Sequence, residues 1–120
     1  NISGYPVYDR EILKSEALEN LGEVSLIEDA AHPMSPFKGQ GANQALLDAL
    51  ALARGISRGC QPSSEWRKVG IRKSVLTEFE AEMIHRTTPK VKDSAAAAKF
   101  LHSKQILQVH NKPRGRLFKI

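Results

Sequence analysis

The sequence predicts an α-rich fold with one short strand or hairpin and three to four helices. Apolar residues recur at helical spacing through most of the chain, whereas only one short run, residues 24–27, favours a strand. Hydrophobic residues make up 41% of the chain and charged residues 26%, which is typical of a globular protein. The length of 120 residues fits one small domain or a piece of a larger one.

The first helix is predicted over residues 10–21, where leucine and alanine recur at helical spacing until Gly22 provides a stop. The strand follows at residues 24–27, where the adjacent Leu26 and Ile27 are both apolar, as expected for a strand covered on both faces. A single strand cannot form a sheet. Its partner must therefore come from a missing part of the chain, from another copy, or from a hairpin with residues 3–8.

The most regular helix is predicted over residues 42–56. Its alanine and leucine face is expected to be buried and consists of Ala42, Ala45, Leu46, Ala49, Leu50, Ala53 and Ile56. A long helix should begin after the turn at residues 62–64, with Gly70 weakening its early part and Phe79 and Met83 as packing residues.

Pro89 is expected to end or kink the long helix, and a further helical stretch is predicted over residues 90–102. The basic tail, residues 104–120, has no clear periodicity and is expected to be loosely ordered. The sequence therefore predicts one folded unit over residues 1–103, followed by this tail.

Composition narrows the functional classes. No apolar run reaches the roughly 20 residues of a membrane helix and the N-terminus has no signal pattern, so we expect a cytoplasmic protein with no membrane partner. Residues 1–60 carry five Lys/Arg and eight Asp/Glu, whereas residues 61–120 carry thirteen and five. Such an asymmetry can mark a nucleic-acid surface, but solvated helix faces explain it more often. The single Cys60 is expected to be an ordinary free thiol, and no metal site is predicted.

The stretch EDAAHPMSPFKGQGAN, residues 28–43, carries the chemistry. Asp29 follows the predicted strand, prolines fix the path of the loop, and Gly39 and Gly41 expose backbone just before a helix begins. Free amides and the positive dipole end of a helix favour an anionic or electron-rich group. A carboxylate at the end of a strand can accept hydrogen bonds from ribose or ribityl hydroxyls. The combination favours a ligand cradle over a capped helix with an idle loop.

Residues 29–53, DAAHPMSPFKGQGANQALLDALALA, resemble the second FAD-binding motif of the class A flavin monooxygenases, which include the aromatic hydroxylases. GYPVYDRE and SAAAAKFLHS, near the two ends of the chain, resemble the same family. The G-x-G-x-x-G motif and most of the substrate domain of that family are absent. The resemblance thus implies an α-rich fragment of an α/β FAD-binding domain, from the C-terminal third of such an enzyme. A first residue Asn1 in place of Met agrees with a missing N-terminal part, although processing would do the same.

The resemblance implies that Asp29 would bind the ribityl chain or phosphates of FAD and that Pro36 would lie beside the isoalloxazine ring. Backbone amides at the helix start would meet the N1/O2 edge of the flavin, where negative charge grows on reduction. The implied cofactor-binding set is Asp29, Pro36, Gly39, Gln40, Gly41, Ala42 and Asn43, with no catalytic residue in this chain. His32 is expected to fix the loop, and Asp48 to be a buried structural carboxylate. Glu28 stands where the family has glycine, and it is expected to crowd the cofactor and repel its phosphates.

In the family, reduced FAD activates oxygen to hydroxylate a small organic substrate, with NADH or NADPH as reductant. The isolated chain should be inactive, and its unpaired strand and apolar helix face should favour self-association. Two other functions stay open: a truncated helical interaction module that retains the motif, and, less favoured, a basic nucleic-acid binder.

Overall fold

A computed structural model describes residues 10–35 and 39–103. Within these ranges the chain forms four α-helices: α1 (Ser15–Glu19), α2 (Gly41–Gly59), α3 (Trp66–Val69) and α4 (Thr77–Leu101). A 3₁₀ turn spans Glu28–Ala30, and a π-helical turn, Arg72–Leu76, leads directly into α4. The predicted hairpin partner, residues 3–8, and the predicted tail lie outside the described residues. None of the described helices is both long enough and apolar enough to cross a membrane.

The core lies between α1, the 3₁₀ turn and α4. Leu18, Ala31, Phe79 and Met83 form its buried cluster, and Leu18 and Met83 are 0% and 1% exposed. The packing roles predicted for Phe79 and Met83 are therefore confirmed. The first helix is shorter than predicted because residues 10–14 are not helical, and Leu13 from this segment packs against the core.

The strand predicted at residues 24–27 is not formed. Among the described residues no strand exists to pair with it, although Ile27 has an extended backbone (φ −132°, ψ 168°). The backbone beside residues 24–27 is hydrogen-bonded by a side chain instead. Arg72 donates to the carbonyl oxygens of Gly22 and Val24, the latter at 2.7 Å. Arg72 is held in turn by the buried Glu80, at 2.7 Å. A guanidinium thus satisfies carbonyl groups that a sheet ladder would otherwise satisfy.

Helix α2 forms as predicted, but the face expected to be buried is not. Every member of that face except Ala45 is exposed, with exposed fractions of 71% for Leu46 and 46% for Leu50. The buried residues of α2 are Gln44 and Asp48, at 6% and 0% exposed. Gln44 and Asp48 can be buried because hydrogen-bond partners meet their polar atoms. The side of α2 that carries them is the side that faces the other described elements.

The long helix differs from its prediction at both Gly70 and Pro89. Gly70 adopts φ 91° and separates α3 from the π-helical turn, so it breaks the helix rather than weakening it. Pro89 does not end α4, which continues to Leu101. Proline has no amide to donate within the helix. The hydroxyls of the preceding Thr87 and Thr88 donate to carbonyl groups one turn earlier, at 2.7 Å and 2.6 Å.

Candidate functional site

The loop begins at Glu28, whose backbone is left-handed. Its φ of 57° is the only positive φ of a non-glycine residue in the described ranges, and such a conformation favours glycine. The Glu28 carbonyl accepts hydrogen bonds from the amides of Ala31 and His32, at 2.9 Å and 2.8 Å. Its side chain is exposed. The left-handed backbone is thus a second reason why the family has glycine at this position, besides the crowding of the cofactor that was inferred from the sequence.

Asp29 lies in the 3₁₀ turn with its side chain exposed to solvent. Arg10 donates to the carbonyl oxygen of Ala30, which ties the segment before α1 to this turn. The carboxylate of Asp29 is therefore on the surface of the loop, at the position from which the resemblance would have it reach a ribityl chain.

The loop ends at the N-terminus of α2. Gly39 adopts φ 62°, Gln40 occupies the N-cap position without a side-chain capping bond, and the helix begins at Gly41. A Cβ added at Gly39 or Gly41 would meet no atom within 4 Å among the described residues, so the space beside the backbone is open. Ala42 and Asn43 are exposed in the first turn, while Pro36 lies outside the described residues. First-turn amides have no acceptor inside their own helix, which leaves them suited to an electron-rich group.

A buried carboxylate joins the two ends of the loop. Asp48 Oδ2 accepts hydrogen bonds from the Glu28 amide at 2.9 Å and from His32 Nε2 at 2.5 Å. Asp48 is 0% exposed and His32 is 1% exposed, so both groups depend on each other for hydrogen bonding. This geometry agrees with the predicted roles, a structural carboxylate and a histidine that fixes the loop.

Arg86 completes this network, a role that no pattern in the sequence indicates. Its Nη2 binds Asp48 Oδ1 at 2.8 Å, its Nη1 binds Gln44 Oε1 at 2.6 Å, and its Nε binds Glu82 Oε1 at 2.8 Å. Burial by itself would lower the pKa of Arg86, but the hydrogen bonds to Glu82 and Asp48 outweigh it and raise this pKa above its ordinary value. Arg86 therefore stays charged at any physiological pH. No motif spacing connects it with Asp48, from which it is 38 residues distant.

Three buried polar atoms of the loop have no hydrogen-bond partner in the described part of the chain. They are His32 Nδ1, Ser35 Oγ and Gln40 Oε1, which lie between the 3₁₀ turn and α2. An unsatisfied buried polar atom costs about 1–3 kcal/mol. Gln40 is the N-cap residue of α2, whereas Ser35 lies beside α4, where its amide donates to Ser94 Oγ at 3.1 Å.

A second concave surface lies between residues 10–15 and α4, and it includes Arg10, which donates to the loop at Ala30. Its rim is basic, and its walls include Leu13 and Val91. The basic residues of this groove are Arg10, Lys14, Lys92 and Lys99. This basic groove thus adjoins the start of the loop at Arg10 and is otherwise formed by residues 11–15 and α4.

Comparison with known proteins supports the family resemblance seen in the loop. Residues 19–67 match the family model described as an FAD binding domain. The chain is 38% identical to the FAD-dependent monooxygenase phnB of Penicillium herquei, over 68% of this chain and 18% of that protein. It is also 38% identical to the FAD-dependent monooxygenase thnD of Trichoderma harzianum, over 58% of this chain and 17% of that protein.

A bacterial relative shows the same pattern. The 3-amino-4-hydroxybenzoate 2-monooxygenase of Streptomyces cremeus is 33% identical over 72% of this chain and 19% of that protein. The chain thus spans less than a fifth of the length of each of these relatives. No solved structure gives a significant match. The resemblance seen in the sequence is confirmed: residues 19–67 are part of an FAD-binding domain, and the chain is related to the FAD-dependent monooxygenases of the class A flavin family.

Proposed function

We propose that this chain supplies the flavin-ring and ribityl side of the FAD site in an FAD-dependent monooxygenase of greater length. The observation that carries the proposal is the N-terminus of α2, which has no side-chain cap and has open space beside Gly39 and Gly41. Residues 1–103 are the C-terminal portion of the FAD-binding domain in this proposal, and residues 104–120 are a basic tail.

The residues of the loop bind and orient the cofactor. The first-turn amides of Gly41, Ala42 and Asn43 would hold the N1/O2 edge of the flavin, where the positive end of α2 would offset the negative charge of reduction. Asp29 would accept hydrogen bonds from ribityl hydroxyls, and Pro36 is assigned to the ring by the family resemblance. Gly39 and Gln40 shape the approach, since the left-handed Gly39 has no side chain to block it.

When bound, FAD reduced by NADH or NADPH would supply the oxygen chemistry that hydroxylates a small organic substrate. In this chain we assign no catalytic residue, and the tasks of its side chains are binding and positioning. The isolated chain is inactive in this proposal because the surface that binds the ADP half of FAD belongs to the G-x-G-x-x-G segment, which is absent from it. A cytoplasmic location stays a prediction from the sequence.

We expect the isolated chain to bind FAD weakly, with a dissociation constant above about 1 μM, which corresponds to about −8 kcal/mol. Titration followed by flavin fluorescence measures this constant. A value at or below 1 μM would contradict the view that half of the binding surface is missing.

The position of binding is tested by amide NMR with three ligands. FAD and riboflavin should shift the amides of Asp29 and residues 39–43, whereas ADP should not, because it lacks the part of FAD that this loop holds. Shifts confined to the basic groove, or none at millimolar ligand, would overturn the proposal. Asn43→Asp should weaken the flavin shifts by placing a negative charge at the flavin edge, while Ala53→Asp, on an exposed site in the same helix, serves as the matched control.

One observation favours the alternative of an interaction module, namely the exposed apolar face of α2 described above. In that case the riboflavin shifts would be absent while association through this face would persist. A nucleic-acid binder would instead show salt-dependent binding to DNA or RNA, which fluorescence anisotropy can measure.

A further inference from the structure

We infer that Arg86 is a positioning residue of the cofactor loop, because its single guanidinium on α4 holds both ends of that loop through Asp48 and Gln44. The relation to FAD rests on the proposed function above. Arg86 lies outside residues 19–67, the segment that matches the FAD-binding domain, so its role comes from the fold rather than from the motif.

Arg86 reaches the start of the loop through its bond to Asp48, which we call the first arm. Arg86 Nη2 binds one carboxylate oxygen of Asp48 at 2.8 Å, and the other oxygen accepts the Glu28 amide and His32 Nε2. Because the Asp48 carboxylate has no exposed surface, its orientation is set by these donors alone. The position of the Glu28 backbone, next to Asp29, is therefore coupled to the position of Arg86.

Arg86 reaches the end of the loop through its bond to Gln44, which we call the second arm. Arg86 Nη1 binds Gln44 Oε1 at 2.6 Å, one helical turn before Asp48, and the Gln44 amide donates to the Gln40 carbonyl at 3.1 Å. Gln44 closes the first turn of α2, whose amides are proposed to face the flavin. Glu82, one turn earlier on α4, binds Arg86 Nε and Nη2 at 2.8 Å and 3.3 Å and fixes the plane of the guanidinium.

Only the planar guanidinium of an arginine can bind all three partners at once. A lysine ammonium is one point charge with a different geometry, and it cannot bind Asp48, Gln44 and Glu82 from three separate nitrogen atoms. Replacement by lysine therefore keeps the charge beside Asp48 but removes the connection between the two arms. This makes Arg86→Lys a test of positioning rather than of charge.

The chain offers a matched control in Arg72. Arg72 and Arg86 are both mostly buried and each binds a buried carboxylate, that of Glu80 for Arg72 and that of Asp48 for Arg86. Arg72, however, donates to the carbonyl groups of Gly22 and Val24, and no hydrogen bond joins it to the loop in the described residues. Glu23, which accepts from the Ile71 amide at 3.1 Å, lies in the segment that Arg72 holds. A general loss of stability would affect the surroundings of both arginines, whereas a positioning role is specific to one.

Hydrogen exchange of the 120-residue chain measures the difference at single amides. In Arg86→Lys the amides of Glu28 and Gln44 should exchange about tenfold to a hundredfold faster, the range expected for a lost hydrogen bond to a charged group. The Ile71 amide should exchange at its original rate. Arg72→Lys should produce the reverse pattern. Gln44→Met, which removes only the second arm, should accelerate exchange at the amide of residue 44, which donates to the Gln40 carbonyl, and spare Glu28.

Unchanged exchange at Glu28 and Gln44 in Arg86→Lys would overturn the inference, as would equal acceleration at Ile71. Should Arg86→Lys fail to fold, Gln44→Met alone decides, because equal acceleration at the amides of residues 28 and 44 would contradict two separable arms. Riboflavin shifts, measured in parallel, should decrease in Arg86→Lys and persist in Arg72→Lys. Absence of these shifts in the unmodified chain would refute the proposed function, while the exchange pattern would still decide whether Arg86 positions the loop.

Discussion

Glu28 offers a direct test of how the loop is built, because it is a glutamate in a backbone conformation that favours glycine. Its φ is 57°, yet its amide and carbonyl groups make the hydrogen bonds that start the 3₁₀ turn. Glu28→Gly preserves these backbone bonds and removes the steric cost of the Cβ. We therefore expect this substitution to stabilise the chain.

The magnitude follows from two opposing effects. A left-handed backbone costs a residue with a Cβ about 1–2 kcal/mol. Glycine loses roughly 0.5–1 kcal/mol more conformational entropy on folding than alanine. The net increase in the free energy of unfolding is about 0.5–1 kcal/mol, which corresponds to about 2–8 °C in the melting temperature of a domain of this size.

Urea unfolding followed by circular dichroism measures the free energy of unfolding, with Glu28→Ala as the matched control. Alanine removes the charge and the long side chain but keeps the Cβ, so the difference between the glycine and alanine variants reports the backbone strain less the extra entropy that glycine loses, free of any effect of the charge. Equal stability of the two variants would refute the reasoning. A gain in riboflavin binding shared by both variants would show that the charge of Glu28, rather than its Cβ, opposes the flavin.

Three further predictions follow from α2 and α4. Gly59→Ala should lower the free energy of unfolding by about 1–3 kcal/mol, because its Cβ would lie 2.6 Å from Val75 Cγ2 and 2.7 Å from the Ser74 carbonyl oxygen. Gly55→Ala should lower it less, since its Cβ would lie 3.1 Å from Val75, and equal effects of the two variants in urea unfolding would contradict this reasoning. Pro89→Ala should raise the free energy of unfolding by roughly 1–3 kcal/mol by restoring a helical amide, whereas a decrease would mean that the packing of α4 requires proline. The exposed face of α2 should cause self-association that Leu50→Lys reduces, and light scattering that shows a monomer across a tenfold concentration range would argue against it.

Local signals in the sequence were sufficient for the helices that carry the site. Regular apolar spacing predicted α2, and the glycines before it predicted exposed backbone, which agrees with the open space beside Gly39 and Gly41 in the described part of the chain. Local signals were insufficient at Pro89, since a proline within a helical pattern predicts an end or a kink, yet α4 continues through it to Leu101. They were also insufficient at residues 24–27, since a strand needs a partner that the described residues do not contain.

The sequence by itself determined the position of the loop, the helix that follows it and the relation to flavin monooxygenases, because these depend on residues close together in the chain. Only the tertiary structure decided which side of α2 is buried. Apolar spacing marks the side of a helix that is able to pack, but burial requires a neighbour, and α2 places Asp48 and Gln44 rather than Leu46 and Leu50 against α4. Arg86 entered the site for the same reason: its partners lie 38 and 42 residues away along the chain, and folding alone brings their atoms within hydrogen-bonding distance.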